Sequence, residues 1–156
     1  LSQNIGSTRK MAGEYIKTYF ARYPKVSDYM NENVKFAKEN GFVKTYFGRI
    51  RNIPEIHSAN FMQRTFGERA AMNMPLQGTA SDIIKLAMIK VDEELTKNKL
   101  ESKLILQIHD ELLIDAKAEE LETVCKILKN CMENVVNLNV KLVTDVNYGK
   151  NWFDAK

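Results

Sequence analysis

A histidine followed by two carboxylates, His109-Asp110-Glu111, stands between two short apolar runs, Leu104-Ile-Leu-Gln-Ile108 and Leu112-Leu-Ile114. Both runs have strand length and are rich in Leu and Ile. They read as two buried strands joined by a tight turn that presents an imidazole and an acidic pair at the edge of a sheet. Carboxylates held in such a turn suit a hard divalent cation. Mg²⁺ takes oxygen donors, commonly one or two carboxylates completed by waters and substrate phosphates. Asp110 and Glu111 are the candidate ligands. The alternative is a polar hairpin turn with no ligand, because turns favour Asp for purely local reasons.

A second constellation lies upstream, in Gly67-Glu-Arg-Ala-Ala-Met-Asn-Met-Pro-Leu-Gln-Gly78. Arg69, Asn73 and Gln77 recur at i, i+4 and i+8, which on a helix makes a polar stripe about 12 Å long. That length spans about three to four stacked base pairs at roughly 3.4 Å each. In the minor groove every Watson–Crick pair presents purine N3 or pyrimidine O2 as an acceptor. Donors placed there sense pairing geometry without reading sequence. The competing reading is a solvated helix face opposite a small-residue packing side.

Charge is distributed unevenly around a net +3. Residues 1–66 hold 11 Lys or Arg against 5 Asp or Glu, a balance of +6, whereas residues 67–156 hold 12 against 15, a balance of −3. The basic half suits a phosphate backbone and the acidic half carries the candidate metal turn, although scattered lysines also make an ordinary solvated surface. At 156 residues the chain is long enough to bury about two thirds of its unfolded surface in one core. Cys125 and Cys131, six residues apart on an expected helix, read as small buried hydrophobes in a reducing compartment rather than a disulfide. No apolar run approaches the length of a membrane span, so no membrane partner is expected. His57 reads as surface loop, Asp82 as a structural helix residue and Trp152 as a packing anchor.

The elements that position these residues follow from periodicity and punctuation. Ser7 or Thr8 caps a helix to about Tyr23, with Met11, Tyr15, Ile16, Tyr19 and Phe20 at helical spacing. Pro24 ends it or begins the next, and Asn40-Gly41 stops the second helix. Phe42–Phe47 and Arg49–Ile53 read as a hairpin around Gly48 that projects Arg49 and Arg51. A long helix from about Ala59 to Lys97 should be kinked or divided by Pro75 near Ala71–Met74. After the hairpin at residues 103–115, Leu121, Val124, Cys125, Leu128, Met132 and Val135 mark an amphipathic helix, and Val140–Val146 reads as a final strand. The order is α+β.

Taken together, Thr45-Tyr-Phe-Gly-Arg49, Glu68-Arg69-Ala-Ala-Met-Asn73-Met-Pro75-Leu-Gln77-Gly78-Thr79-Ala80-Ser-Asp82 and Leu106-Gln107-Ile-His109-Asp110-Glu111-Leu112 resemble the C-terminal part of a family A DNA polymerase of the bacterial DNA polymerase I type. The resemblance covers nearly the whole chain, and Asn151-Trp152-Phe-Asp-Ala-Lys156 is similar to that family's chain end. One departure is Arg49-Ile50-Arg51, where members often carry a run of arginines.

What the resemblance implies is specific. The fold would be an antiparallel palm-type sheet with a catalytic β-hairpin packed by long helices, part of a polymerase right hand. Residues 1–66 would be trailing fingers helices with the small hairpin, and residues 67–156 the C-terminal part of the palm. The chemistry would be template-directed nucleotidyl transfer by two Mg²⁺ ions, in DNA replication and repair. Asp110 would be the metal ligand, Glu111 a nearby and less essential carboxylate, and His109 would face the primer terminus. Arg69, Asn73, Gln77 and Gln107 would contact DNA, with Arg49 and Arg51 as phosphate contacts. Partners would be primer-template DNA, deoxynucleoside triphosphates and the rest of a longer polymerase chain in the bacterial cytoplasm, an organellar origin staying open. Leu1-Ser-Gln-Asn-Ile-Gly6 is similar to the segment that follows the family's fingers helix. The first catalytic aspartate and that helix would therefore lie upstream, and this stretch alone would be inactive.

Two other readings stay open: a non-catalytic nucleic-acid-binding module, and a metal-dependent hydrolase using His57, His109 and Asp110. Adjacent ligands on a turn point apart, which disfavours the second. An upstream Asp-Tyr-Ser-like turn followed by a Lys-bearing helix would distinguish the polymerase from the binding module.

Overall fold

Thr8 opens the first helix by accepting a hydrogen bond at Oγ1 from the backbone N–H of Met11, 3.2 Å away. In the computed structural model, which describes residues 4–155, this helix, α1, runs Arg9–Arg22. The expectations on Leu1–Gln3 and Lys156 lie outside the described residues. Pro24 then starts α2 (Pro24–Asn40) at its first turn, where a missing N–H costs nothing. Gly41 closes α2 in the left-handed conformation at φ 78°, with its N–H donating to the carbonyl of Ala37.

The chain divides into two compact units, residues 1–77 and 78–156. In the first, β1 (Phe42–Lys44) and β2 (Ile50–Asn52) pair antiparallel, Val43 opposite Arg51. Both strands are shorter than their apolar content suggests, because Thr45 closes the loop early. Its N–H donates to the Arg49 carbonyl, its own carbonyl accepts from Gly48, and its hydroxyl accepts from the Arg49 N–H. Gly48 sits at φ 85°. A short 3₁₀ turn, Pro54–His57, leads to α3 (Phe61–Lys97). The Asn60 side chain caps α3 by accepting from the N–H groups of Met62 and Gln63. The core of this unit is Ala37, Val43, Ile53, Ile56 and Ala71, with Val34, Ala70 and Met74 packed on it.

Pro75 does not divide the long helix: α3 is continuous through it. A proline in a helix interior costs about 3 kcal/mol, and here burial opposes that cost. Pro75 itself is buried, Ala71 is fully buried, and Met74 packs against the same cluster.

In the second unit, β3 (Lys103–Ile108) and β4 (Glu111–Asp115) form an antiparallel hairpin. A 3₁₀ turn, Ala118–Glu120, leads into α4 (Leu121–Glu133). Val124 and Cys131 of α4 pack with Val91 and Leu95 of α3, and Leu104, Leu112 and Ile114 of the hairpin lie against that cluster. The two strands are therefore half-buried rather than buried: Ile105 is 57% exposed and Leu106 43%. The expected final strand over Val140–Val146 does not form. Its residues alternate between exposed and half-buried as a strand would, but no ladder hydrogen bonds are made. Alternation can be written into a segment alone, whereas a strand needs a paired backbone. No helix among the described residues is long and apolar enough to cross a membrane.

Gly48→Ala should destabilise the first unit by about 1–2 kcal/mol, the cost of placing a Cβ in left-handed backbone. Denaturant unfolding of the two chains checks this; equal midpoints would show that the loop relaxes to accept a side chain.

Candidate functional site

The tip of the β3–β4 hairpin has almost no slack. Ile108 pairs with Glu111, which leaves His109 and Asp110 as the whole loop. His109 takes φ 53°, one of two non-glycine residues among those described with positive φ. Such backbone is uncommon for a residue with a Cβ and persists only where its surroundings hold it. Here the Gln107 Nε2 donates to the His109 carbonyl over 2.6 Å and ties the turn to β3. His109, Asp110 and Glu111 are all exposed. Asp110 and Glu111 also line a cavity of about 690 Å³ within this unit, walled by Ile84, Ala87, Leu112 and Leu128. Asp145 lines the same cavity. Sequence reasoning missed Asp145 because the alternation of residues 140–146 drew attention to a strand rather than to its acidic member.

The hairpin therefore brings Gln107, His109, Asp110 and Glu111 together, as their sequence order requires. It does not make a self-sufficient metal cage. No group of three or more His, Cys, Asp or Glu among the described residues is placed to hold a metal ion. The set suits Mg²⁺ as a partial donor set, since that ion usually takes only one or two protein carboxylates.

The base of the hairpin is tied by a different carboxylate. Glu120 accepts at Oε1 from the Glu101 N–H, and at Oε2 from both the Ser102 N–H and the Ser102 hydroxyl. These bonds, led by the Ser102 hydroxyl and then the Glu101 amide, hold the Glu120 carboxyl below its ordinary value. Their stabilisation is thus present above the normal glutamate range and is lost as the pH falls through the lowered value. Deeper in the unit, burial pushes the Cys131 thiol up, reinforced by the Glu94 charge. Cys125 and Cys131 are both free, so Cys131 acts as a small hydrophobe.

The first unit carries the stripe. Arg69, Asn73 and Gln77 lie on α3 and are all exposed, while Ala70, Ala71 and Met74 point into the core on the other side. The exposed face continues through Met62, Phe66 and Leu76. Sequence reasoning set Leu76 on other directions than the stripe and did not single out Met62 or Phe66, though Leu76 lies seven residues after Arg69, and Phe66 and Met62 three and seven before it, a spacing that marks the same face. Glu68, on a different side of α3, accepts a hydrogen bond from Lys38 at 2.7 Å. Arg49 and Arg51 are exposed on the small hairpin of this unit. His57 is exposed at the end of the 3₁₀ turn, Asp82 is half-buried on α3, and Trp152 lines the cavity with 40% of its surface exposed.

Comparison with known proteins gives this arrangement a family. The model of DNA polymerase family A matches residues 1–154. The chain belongs to that family. It is 53% identical over all 156 residues to DNA polymerase I of Caldicellulosiruptor bescii and 47% identical to DNA polymerase I of Geobacillus stearothermophilus. In both cases it spans 18% of the relative's length. Among solved structures it resembles the POL domain of Pol1 from M. smegmatis, in complex with DNA primer-template and dNTP, at a TM-score of 0.95 and 38% identity, covering 99% of this chain and 27% of that one. The helices and two small antiparallel sheets of this family A chain thus match part of a polymerase domain.

Gln107→Ala removes the side chain that holds the turn and should raise amide exchange at residues 108–111 with little change elsewhere. His109→Gly should leave the hairpin as stable as before or stabilise it by about 1 kcal/mol, by removing a Cβ from left-handed backbone. A large loss of stability in His109→Gly would show that the imidazole, not the backbone, holds the turn.

Proposed function

We propose that this chain is the back of the palm, with trailing fingers helices, of a DNA-directed DNA polymerase that extends a primer 3′-hydroxyl on a template in DNA replication and repair. The observation that carries the proposal is the two-residue turn that presents Asp110, exposed, beside Glu111 and His109. Family membership and the DNA-bound and nucleotide-bound state of the M. smegmatis neighbour support it. In this reading β3 and β4 belong to a palm-type sheet, and the whole enzyme works in the bacterial cytoplasm.

Asp110 would hold Mg²⁺, with Glu111 as a nearby second carboxylate. When bound, the two metal ions of such a centre lower the pKa of the attacking hydroxyl and neutralise charge developing on the phosphoryl oxygens. Asp110 contributes a fixed negative charge on a turn that cannot drift. His109 faces the primer terminus, and Gln107 keeps the turn in place while lying within reach of the terminal base pair. Arg69, Asn73 and Gln77 donate to minor-groove acceptors, which orients a correctly paired terminus without selecting its sequence. Arg49 and Arg51 contact phosphates.

A second reading is a nucleic-acid-binding module without chemistry of its own, in which Asp110 and Glu111, not grouped with a third His, Cys, Asp or Glu into a metal-holding set among the described residues, are turn residues only. Asp110→Asn in the intact polymerase separates the two. The substitution keeps size and hydrogen bonding but removes the charge, so single-turnover incorporation at saturating DNA and nucleotide should fall far more than DNA affinity does. A fall of less than about tenfold, roughly 1.4 kcal/mol of barrier, would leave Asp110 a turn residue only.

The stripe has its own test. Gln77→Ala should slow extension by a similar factor on every correctly paired primer, because N3 and O2 are offered by all four pair orientations. A 3-deazaguanine in the primer strand near its terminus removes the acceptor from the DNA side. It should slow the wild type but add little to the Gln77→Ala or Arg69→Ala defect at the matching position. Additive losses at every primer position would show that this helix face does not touch the groove.

A further inference from the structure

Two residues before Arg69, α3 carries a glycine, Gly67. Glycine inside a helix is destabilising relative to alanine, so its presence asks for a reason. Backbone freedom is not the reason. Positive φ among the described glycines is confined to Gly6, Gly41 and Gly48. What Gly67 supplies is the absence of a side chain. It is buried, and a Cβ added to it would lie 2.8 Å from the backbone nitrogen of Ile56, 3.0 Å from the carbonyl carbon of Glu55 and 3.1 Å from the Cα of Ile56. All three atoms are backbone, so no side chain can swing aside to make room. Gly13 in α1 is the contrast, since a Cβ there meets nothing within 4 Å.

The backbone of α3 therefore rests directly on the 3₁₀ turn Pro54–His57, and the direction of that contact matters. Gly67 points about 160° round the helix from Arg69 and about 120° from Asn73, at roughly 100° per residue. Ala71, one turn further on, shares this side and is fully buried against Ile53 and Ile56. The turn is a floor beneath the stripe. Its separation from α3 sets how far Arg69 and Asn73 stand out from the unit. Ordinary contact begins at 3.4 Å, so even a methyl group at residue 67 must open the contact by about half an ångström. That is about the tolerance within which a binding constellation has to be held.

We propose that Gly67 is a positioning residue that sets the stand-off of the donor stripe by letting α3 lie on the backbone of the Pro54–His57 turn, an inference that rests on the minor-groove role of the stripe given above. Gly67 touches no DNA. It acts through the helix that carries Arg69 and Asn73.

The test uses the intact polymerase, well below its unfolding temperature, and reads single-turnover incorporation on a natural primer and on one with 3-deazaguanine at the position matched to Arg69. Gly67→Ala should slow the natural primer by about threefold to tenfold, the loss expected of a displacement of this size. On the analogue primer it should add little, because the contact it misplaces is already gone. Ala71→Ser adds an atom on the same side of α3 and should give the same pattern, so the outcome does not hang on the folding of one variant. Gly13→Ala makes the same substitution in open space. It should raise the unfolding midpoint through helix propensity and extend both primers at the wild-type rate. Wild-type rates in Gly67→Ala and Ala71→Ser would overturn the proposal. So would equal slowing of natural and analogue primers, which would make Gly67 a residue of stability alone. The analogue in the wild-type enzyme keeps the two claims apart. If it slows the wild type while the two α3 variants behave as wild type, only the stand-off fails; if it slows nothing at any primer position, the stripe reading fails and the stand-off with it.

Discussion

A two-residue turn makes the position of Asp110 depend on strand register, because a loop with no spare residues cannot absorb a displacement of the strands that feed it. Ile108 opposite Glu111 at one end and the Ser102–Glu120 bonds at the other bracket a hairpin whose strands differ in length by one residue. The left-handed backbone at His109 and the hydrogen bond from Gln107 belong to the same constraint. The tip is exposed, so burial does not hold it in place, and local hydrogen bonds do that instead. An exposed carboxylate on a rigid turn is a sound arrangement for a metal ligand. On so short a turn a side chain has few backbone conformations left to lose on binding a cation.

The donor stripe on α3 is built on the opposite logic, one in which a packed helix supplies the rigidity. Ala70, Ala71 and Met74 bury one side of α3 in the core of the first unit, which fixes the direction in which Arg69, Asn73 and Gln77 project. In water such exposed donors are worth little, since each is already hydrogen-bonded to solvent. Their value rises when a partner surface excludes that water and supplies acceptors at a matching spacing. Met62, Phe66 and Leu76 on the same exposed face add apolar surface that aids the exclusion.

The segment at residues 140–147 shows how burial and hydrogen bonding part company. Leu142, Thr144 and Val146 are half-buried while their neighbours are exposed, the period of two that a strand imposes, but the Thr144 N–H donates to the Glu133 side chain rather than to a neighbouring strand. The apolar residues find cover against the cavity wall, with Leu142 and Val146 lining it, without any strand alongside to complete a ladder.

What the sequence by itself determined was the punctuation and the chemistry. Thr8, Pro24 and Gly41 mark helix ends through backbone geometry that needs no distant partner. The spacing of Arg69, Asn73 and Gln77 puts them on one face of any helix, and His109-Asp110-Glu111 between two apolar runs made a turn with carboxylates. The polymerase motifs, being long and ordered, placed the chain in its family. Tertiary structure decided the rest. Pro75 is carried inside a continuous α3 whose Ala71 and Pro75 are buried, a fact of packing that helix propensity does not contain. The strand-like run at residues 140–146 stayed unpaired because alternation states a preference for two faces and says nothing of a neighbour. The bulge between Leu104 and Leu106 and the Ser102–Glu120 tie were invisible for the same reason. Three successive aliphatics do not say which of them is the extra residue, and the bonds at the base of the hairpin join residues 15 to 19 apart in the chain.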